Sequence, residues 1–288
     1  MIATAYTLSL PADRSTSVVF SSPHSGRDYP ADFLARSVLD TRAIRSSEDA
    51  FVDRLFSAAP LFGAPLLAAH APRAFIDLNR AADEMDPAVV EGVPRPAHNP
   101  RVNSGLGVIP RVVANGRAIY RGRIPKAEAE DRIARHWRPY HARLGALIEE
   151  SLGLYGEAIL IDCHSMPHEA IESVSMARAG RPEVVLGDRF GAAAAPWVVD
   201  PVEQAFRDAG FRVARNAPFA GAYITQAYGR PSRGVHAIQV EIDRALYLDE
   251  AGMRPGPGFE TLKAALTGVI AQIARIGRGE DRAPLAAE

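Results

Sequence analysis

Short apolar runs alternate with longer amphipathic ones along this chain. Val18–Ser21, Leu66–Ala69, Ala74–Leu78, Ala158–Ile161, Val184–Leu186, Phe211–Ala214, Tyr223–Ala227 and His236–Ile242 predict strands. Between them, apolar positions recur at helical spacing. Glu48–Ala59 predicts a helix with Phe51, Val52, Leu55 and Phe56 on one face and Ser46 or Ser47 as its cap. Pro125 opens a second helix running to about Ser151, with Ile133, Trp137, Leu144, Leu147 and Ile148 as its stripe. Pro201–Ala209, stopped by Gly210, and Phe259–Ile276 predict two more. Asn115-Gly116 between Arg111–Val113 and Arg117–Tyr120 predicts a hairpin. Residues 83–110, rich in Pro, Asn and Gly, form a long excursion of the kind that often carries function. Alternating strands and helices predict an α/β sandwich on a mostly parallel sheet, in which ligands bind at the carboxyl ends of strands.

Composition narrows the picture. The chain has 288 residues, suited to one large domain over 1–288, with 278–288 expected as a frayed tail. A net charge of −1 supplies no basic excess, which argues against nucleic acid as a partner. No run of about 18 apolar residues predicts a membrane span. The single cysteine, Cys163, excludes an internal disulfide. With no signal-peptide pattern at the start, a cytoplasmic protein is expected, a monomer or small homo-oligomer.

The candidate chemistry lies at strand ends. His24 follows the first apolar strand, His164 follows Ala158–Ile161, Asp77-Leu78-Asn79-Arg80 closes a third run, and Glu241 ends a fourth. Glu48 and Asp49 sit at the start of a predicted helix. Two His and one carboxylate form a common catalytic zinc set with an open fourth position, and a separate Glu can then act as general base. Taken singly, each residue has an ordinary explanation. An acidic pair suits any helix start through the helix dipole. Asp77 and Asp162 fit either caps or partners of the histidines, and Cys163 fits a buried inert thiol. His168-Glu169 begins like a zinc-protease helix, but Glu172 stands where the second His belongs. No serine-hydrolase elbow, Walker loop or dinucleotide fingerprint occurs.

Five segments together resemble the N-formylglutamate amidohydrolase family. They are SSPHSGRDYP at 21–30, EDAFVDRLF at 48–56, PRAFIDLNR at 72–80, ILIDCHSMP at 159–167 and the long run 216–250. The resemblance implies a three-layer α/β/α sandwich around a mixed sheet, similar to zinc carboxypeptidases and aspartoacylases. It implies Zn²⁺ held by His24, His164 and a carboxylate, Glu48 or Asp49, with Glu48 favoured. It implies Glu241 as general base and acid. Asn79 and Arg80 would hold a substrate carboxylate, and Arg73 would polarise the scissile carbonyl or bind a second carboxylate. Arg230, or Arg233, and Tyr223 would contact substrate. The implied substrate is N-formylglutamate or a similar small N-acyl acidic amino acid, cleaved to the amino acid and formate in amino-acid (histidine) degradation. Ala222 replaces a glycine of the family pattern and Cys163 replaces a small residue, which puts the choice of acyl amino acid in question. A carboxypeptidase or amidase acting on short peptides or cell-wall fragments, and a silent binding protein on the same scaffold, are the alternatives.

Overall fold

In the computed structural model, residues 4–94, 99–172 and 180–278 are described. Seven strands form one sheet: β1 (Tyr6–Ser9), β2 (Val18–Ser22), β3 (Leu66–Ala69), β4 (Ala158–Met166), β5 (Val184–Gly187), β6 (Val213–Arg215) and β7 (Val235–Asp243). Their order is β1-β3-β2-β4-β7-β5-β6. The four central strands β3, β2, β4 and β7 are parallel, β1 and β5 join antiparallel, and β6 runs parallel to β5. The fold is therefore α/β with a mixed, mostly parallel sheet.

β4 and β7 are buried along their whole length, as expected for parallel strands covered on both faces. Side chains alternate between the faces. Val18, Phe20, Ile161, Cys163, Ile238 and Val240 face a core built with the Pro196–Asp208 and Phe259–Ile276 helices. Val19, Ala158, Leu160 and Ala237 face a second core with Tyr140, Leu144, Leu147 and Ile148 of the Arg138–Tyr155 helix. Three layers result. On this second face the apolar stripe turns polar toward the carboxyl ends: Val19 is followed by Ser21, Leu160 by Asp162 and His164, and Ala237 by Gln239 and Glu241. The parallel register sets Ser21 beside Asp162, Asp162 beside Gln239, and His164 beside Glu241.

Several expectations need correction. The helix from Pro125 forms, but as Lys126–Arg132 and Arg138–Tyr155 joined by a π turn over Ile133–Trp137. Pro139 has no amide to give the carbonyl four residues back, and the wider turn absorbs the missing bond. Glu48–Ala59 is not one helix. Phe51 adopts a left-handed φ of 63°, leaving only Val52–Leu55 α-helical before a 3₁₀ turn at Ala59–Phe62. Ala74–Leu78 is not a strand. Phe75 and Ile76 donate back to the Pro72 carbonyl, and Asp77 accepts from the Asn79 amide at 2.8 Å, so local turns take the backbone bonds that a sheet would need. Tyr223–Ala227 belongs to a helix, Tyr223–Tyr228, because the Asn79 side chain accepts the Ile224 amide at 2.7 Å and caps its start. The hairpin at 111–120 is reduced to a bridge between Val112 and Ala118 around a 3₁₀ turn. The edge strand β1, half exposed, has no counterpart among the expected elements. The expected tail lies outside the described residues beyond Arg278. Among the described residues, no helix is long and apolar enough to cross a membrane.

Gly26, in the turn after His24, is packed against the neighbouring chain: a Cβ there would lie 2.2 Å from the Ala71 carbonyl oxygen. Gly26→Ala should therefore cost about 1–3 kcal/mol by overpacking, read as a lowered denaturation midpoint. An unchanged midpoint would contradict this packing.

Candidate metal centre and active-site cavity

His24 leaves β2 in a tight turn, and its carbonyl accepts the Asp49 amide at 3.0 Å. That bond brings Asp49 to the carboxyl ends of the central strands, next to His164 of β4 and two residues before the left-handed Phe51. The Phe51 conformation is rare for a bulky residue and is held in place by its surroundings. Its ring lies edge-on to Phe259 and beneath the Arg27 and Arg54 guanidiniums, 5.4 and 5.6 Å away.

His24, Asp49 and His164 are buried and offer ligand atoms within 4.8 Å of one another. Asp49 Oδ2 lies 2.8 Å from His164 Nδ1 and 3.3 Å from His24 Nδ1. The opposite nitrogens are anchored by further carboxylates: His24 Nε2 meets Asp77 Oδ1 at 2.7 Å, and His164 Nε2 meets Asp162 Oδ2 at 2.9 Å. With a cation at Asp49, each Nε2 donates to its own carboxylate, which only accepts, and so carries the proton. Each neutral imidazole then turns an Nδ1 lone pair toward an Asp49 oxygen. Two facing acceptors need a proton or a cation between them. The His24 Nδ1 is buried and makes no hydrogen bond. Carboxylate-anchored imidazoles with converging lone pairs are a metal-binding arrangement. This donor set fits zinc, with three protein ligands and one open position.

Without a cation, protons fill that role. Burial disfavours a charged Asp49, but the hydrogen bond of His164 and the charges of His164 and His24 outweigh it and hold the carboxyl well below its usual range. Burial likewise disfavours a charged His164, yet the charge and hydrogen bond of Asp162, with that of Asp49, raise it well above the usual range. The other Asp49 oxygen is occupied: Arg244 Nη2 donates to Oδ1 at 3.0 Å, and Ser165 Oγ donates to it at 3.4 Å. Only Oδ2 is left for the histidines.

Glu48, the favoured carboxylate, is not at this point. Its oxygens accept from Tyr29 Oη at 2.6 Å and from Arg45 at 2.9 and 3.0 Å. The structure brings Asp49, not Glu48, to the histidines. A carboxylate's sequence neighbour points elsewhere once the backbone turns, and the bond from the Asp49 amide to the His24 carbonyl is not visible in the sequence.

His24 and His164 line a cavity of about 620 Å³. Glu241, Gln239, Arg73, Asp77, Asn79 and Arg80 line it with the two histidines. Burial pushes Glu241 up to about 7, against the His164 charge, with the Asp49 charge adding to the rise. Gln239 Nε2 donates to Glu241 Oε1 at 2.7 Å, and Gln239 Oε1 accepts the Ala222 amide at 3.0 Å. Arg73 Nε donates to Asp77 Oδ2 at 3.1 Å. Arg80 Nε donates to the Leu106 carbonyl and its Nη1 to the Asn79 carbonyl, at 2.8 and 2.6 Å.

Two expected substrate contacts lie elsewhere. Arg230 is exposed and donates to the Gln226 and Gly229 carbonyls, outside the cavity. The Tyr223 ring packs on Trp137 and His141, while Gly221 and Ala222 reach the cavity wall. Cys163 faces the opposite core, and burial, then the Asp162 charge, hold its thiol well above the usual range. Asp77 and Asp162 prove to be histidine partners, one of the two roles open to them in the sequence. Arg244 and Arg101, both on the cavity wall, were not singled out; only the position of Arg244 three residues after Glu241 hinted at it.

An α/β fold that gathers anchored imidazoles, a buried glutamate and guanidinium groups at the carboxyl ends of its strands is that of a hydrolase. The chain belongs to the N-formylglutamate amidohydrolase family, whose model matches residues 16–248. It is 32% identical over 237 residues to the N-formylglutamate deformylase of Pseudomonas aeruginosa, covering 81% of this chain and 82% of that protein. The N-formylglutamate deformylase of Pseudomonas putida is 28% identical with the same coverage. The crystal structure of an N-formylglutamate amidohydrolase from Ralstonia eutropha JMP134 superposes with a TM-score of 0.89 at 38% identity, covering 96% of this chain and 99% of that one.

Two outcomes follow for the centre. Asp49→Ala should abolish tight zinc uptake by the metal-free protein, whereas Glu48→Gln should hold zinc within a few-fold of wild type in a competition titration. The reverse pattern would return Glu48 to the ligand set. Glu241 prefers its proton in the folded chain, with a pKa of about 7 against 4.5 ordinarily. Its contribution to stability is therefore full below about 4.5 and is lost as pH rises through about 7. In chelator-treated protein, Glu241→Gln should flatten the decline in melting temperature between those limits. An identical decline in the variant would place the titration elsewhere.

Proposed function

We propose that this protein hydrolyses N-formyl-L-glutamate, or a closely similar N-acyl acidic amino acid, to the amino acid and formate. A divalent cation, zinc by its donor set, is held by His24 Nδ1, His164 Nδ1 and Asp49. The observation that carries the reading is the convergence of those three atoms, with both imidazoles anchored from behind, beside a buried glutamate. The names of the relatives support the choice of substrate.

Bound zinc would acidify water to a pKa of about 7 and polarise a carbonyl. The chain's own residues do the rest. Asp77 and Asp162 keep the imidazoles in one tautomer and one orientation. Arg244 holds Asp49 to a single free oxygen. Glu241, with a pKa near 7, takes the proton lost by the attacking water and returns it to the departing amine nitrogen as the C–N bond breaks. Arg73 lines the cavity and is bound to Asp77 through Nε, so its other guanidinium nitrogens would stabilise the oxyanion developing on the formyl oxygen. Arg80 keeps Nη2, 3.8 Å from Asp77, for a substrate carboxylate. Asn79 is committed to Ile224 and Gln239 and contributes by fixing the wall beside His164.

The direct test is formate release from N-formyl-L-glutamate, before and after chelation and on restoring zinc. Chelation should abolish it and zinc should restore it; full activity without metal would exclude the proposed centre. A panel of formyl-, acetyl- and peptidyl-amino acids separates this activity from a peptidase or amidase. Glu241→Gln should keep zinc and lose about 10²–10⁴-fold in kcat. Near-full turnover would remove Glu241 from the reaction.

A further inference from the structure

Four arginines line the cavity: Arg73, Arg80, Arg101 and Arg244. Three are tied to the protein. Arg73 and Arg80 face Asp77, and Arg244 is bound to Asp49 and Ser165. The guanidinium of Arg101 differs from these. It makes no hydrogen bond or ion pair among the described residues, although its side chain is partly buried.

Its backbone, by contrast, is firmly placed. Asn99 Oδ1 accepts the amides of Arg101 and Val102 at 3.1 and 3.2 Å, and Asn99 Nδ2 donates to Glu84 at 3.1 Å. The Leu106 amide donates to the Arg101 carbonyl at 2.9 Å, and the Leu106 carbonyl accepts Arg80 Nε at 2.8 Å. One residue, Leu106, thus links the two arginines and sets their spacing. Like charges held together on a half-buried wall repel, and in Arg80 burial first, then the Arg73 and Arg101 charges, counter the Asp77 charge and hold its pKa down. An anion between them relieves that repulsion.

Resting on the function proposed above, we infer that Arg101 is a specificity-determining residue. It binds the second carboxylate of an acidic N-acyl amino acid, while Arg73 and Arg80 serve the end nearer the scissile amide. A guanidinium without a protein partner retains its full fork of donors for a planar carboxylate. Its place on the 83–110 excursion, away from the strand ends, separates the choice of side chain from the chemistry there.

The test compares N-formyl-L-glutamate with N-formyl-L-glutamine, which has the same shape without the second charge. Wild type should favour the acid by at least about 10-fold in kcat/KM, the scale of a hydrogen bond to a charged group. Arg101→Met should lower kcat/KM for the acid by about 10- to 100-fold, chiefly through KM, and change it for the amide by less than about 3-fold. Arg101→Lys keeps the charge without the fork and should fall between the two. It also serves as the test if the Met variant does not fold. Equal losses on both substrates, or no loss on the acid, would overturn the role of Arg101 while leaving the proposed reaction intact. Wild type that releases no formate from either substrate would overturn the proposed reaction, and this assignment with it.

Discussion

The structure depends on one electrostatic constraint: two buried imidazoles, each anchored at Nε2 by a carboxylate, both face a single oxygen of Asp49. Anchoring fixes where the protons are, and burial makes the facing lone pairs costly unless something positive lies between them. Much of the surrounding polar network serves this arrangement. Asp162 sits on Ser21, which in turn meets Tyr140 at 2.8 Å. Asp77 is held by Arg73 and by the Asn79 amide. Arg244 withholds the other Asp49 oxygen. A centre built this way binds a cation with little rearrangement, because its ligands are already oriented.

The sheet makes the geometry possible. Adjacent parallel strands in register bring His164 and Glu241 side by side on the face where Asp162 and Gln239 also lie. Moving either strand by one residue would turn these side chains into the opposite apolar core. The same alternation places Cys163 in that core, so the thiol beside a candidate ligand takes no part in the site.

Much of this was legible in the sequence. Buried parallel strands read as unbroken apolar runs, and the polar residues that end them mark the site. The histidines, Glu241, Asn79 and Arg80 were found at the ends of apolar runs and Arg73 through the family resemblance, and all of them line the cavity. The failures share a cause, since each depended on a contact remote in sequence. Ile224 and Thr225 favour a strand by propensity, but Asn79 caps a helix there. Ala74–Leu78 is apolar like a strand, but Asp77 folds it into a turn. The choice between Glu48 and Asp49 turned on contacts remote in sequence, the Asp49 amide on the His24 carbonyl and Glu48 on Tyr29. Arg101 lies in an excursion without periodicity, where no pattern distinguishes one arginine from another.

The most direct test of this account is a crystal structure of the protein grown with zinc, with anomalous diffraction recorded across the zinc absorption edge. The account predicts a single strong anomalous peak at about 2.0–2.1 Å from His24 Nδ1 and His164 Nδ1 and about 2.0–2.2 Å from Asp49. It also predicts that Glu48 remains on Arg45. A peak coordinated by Glu48, or by either histidine through Nε2, would contradict it.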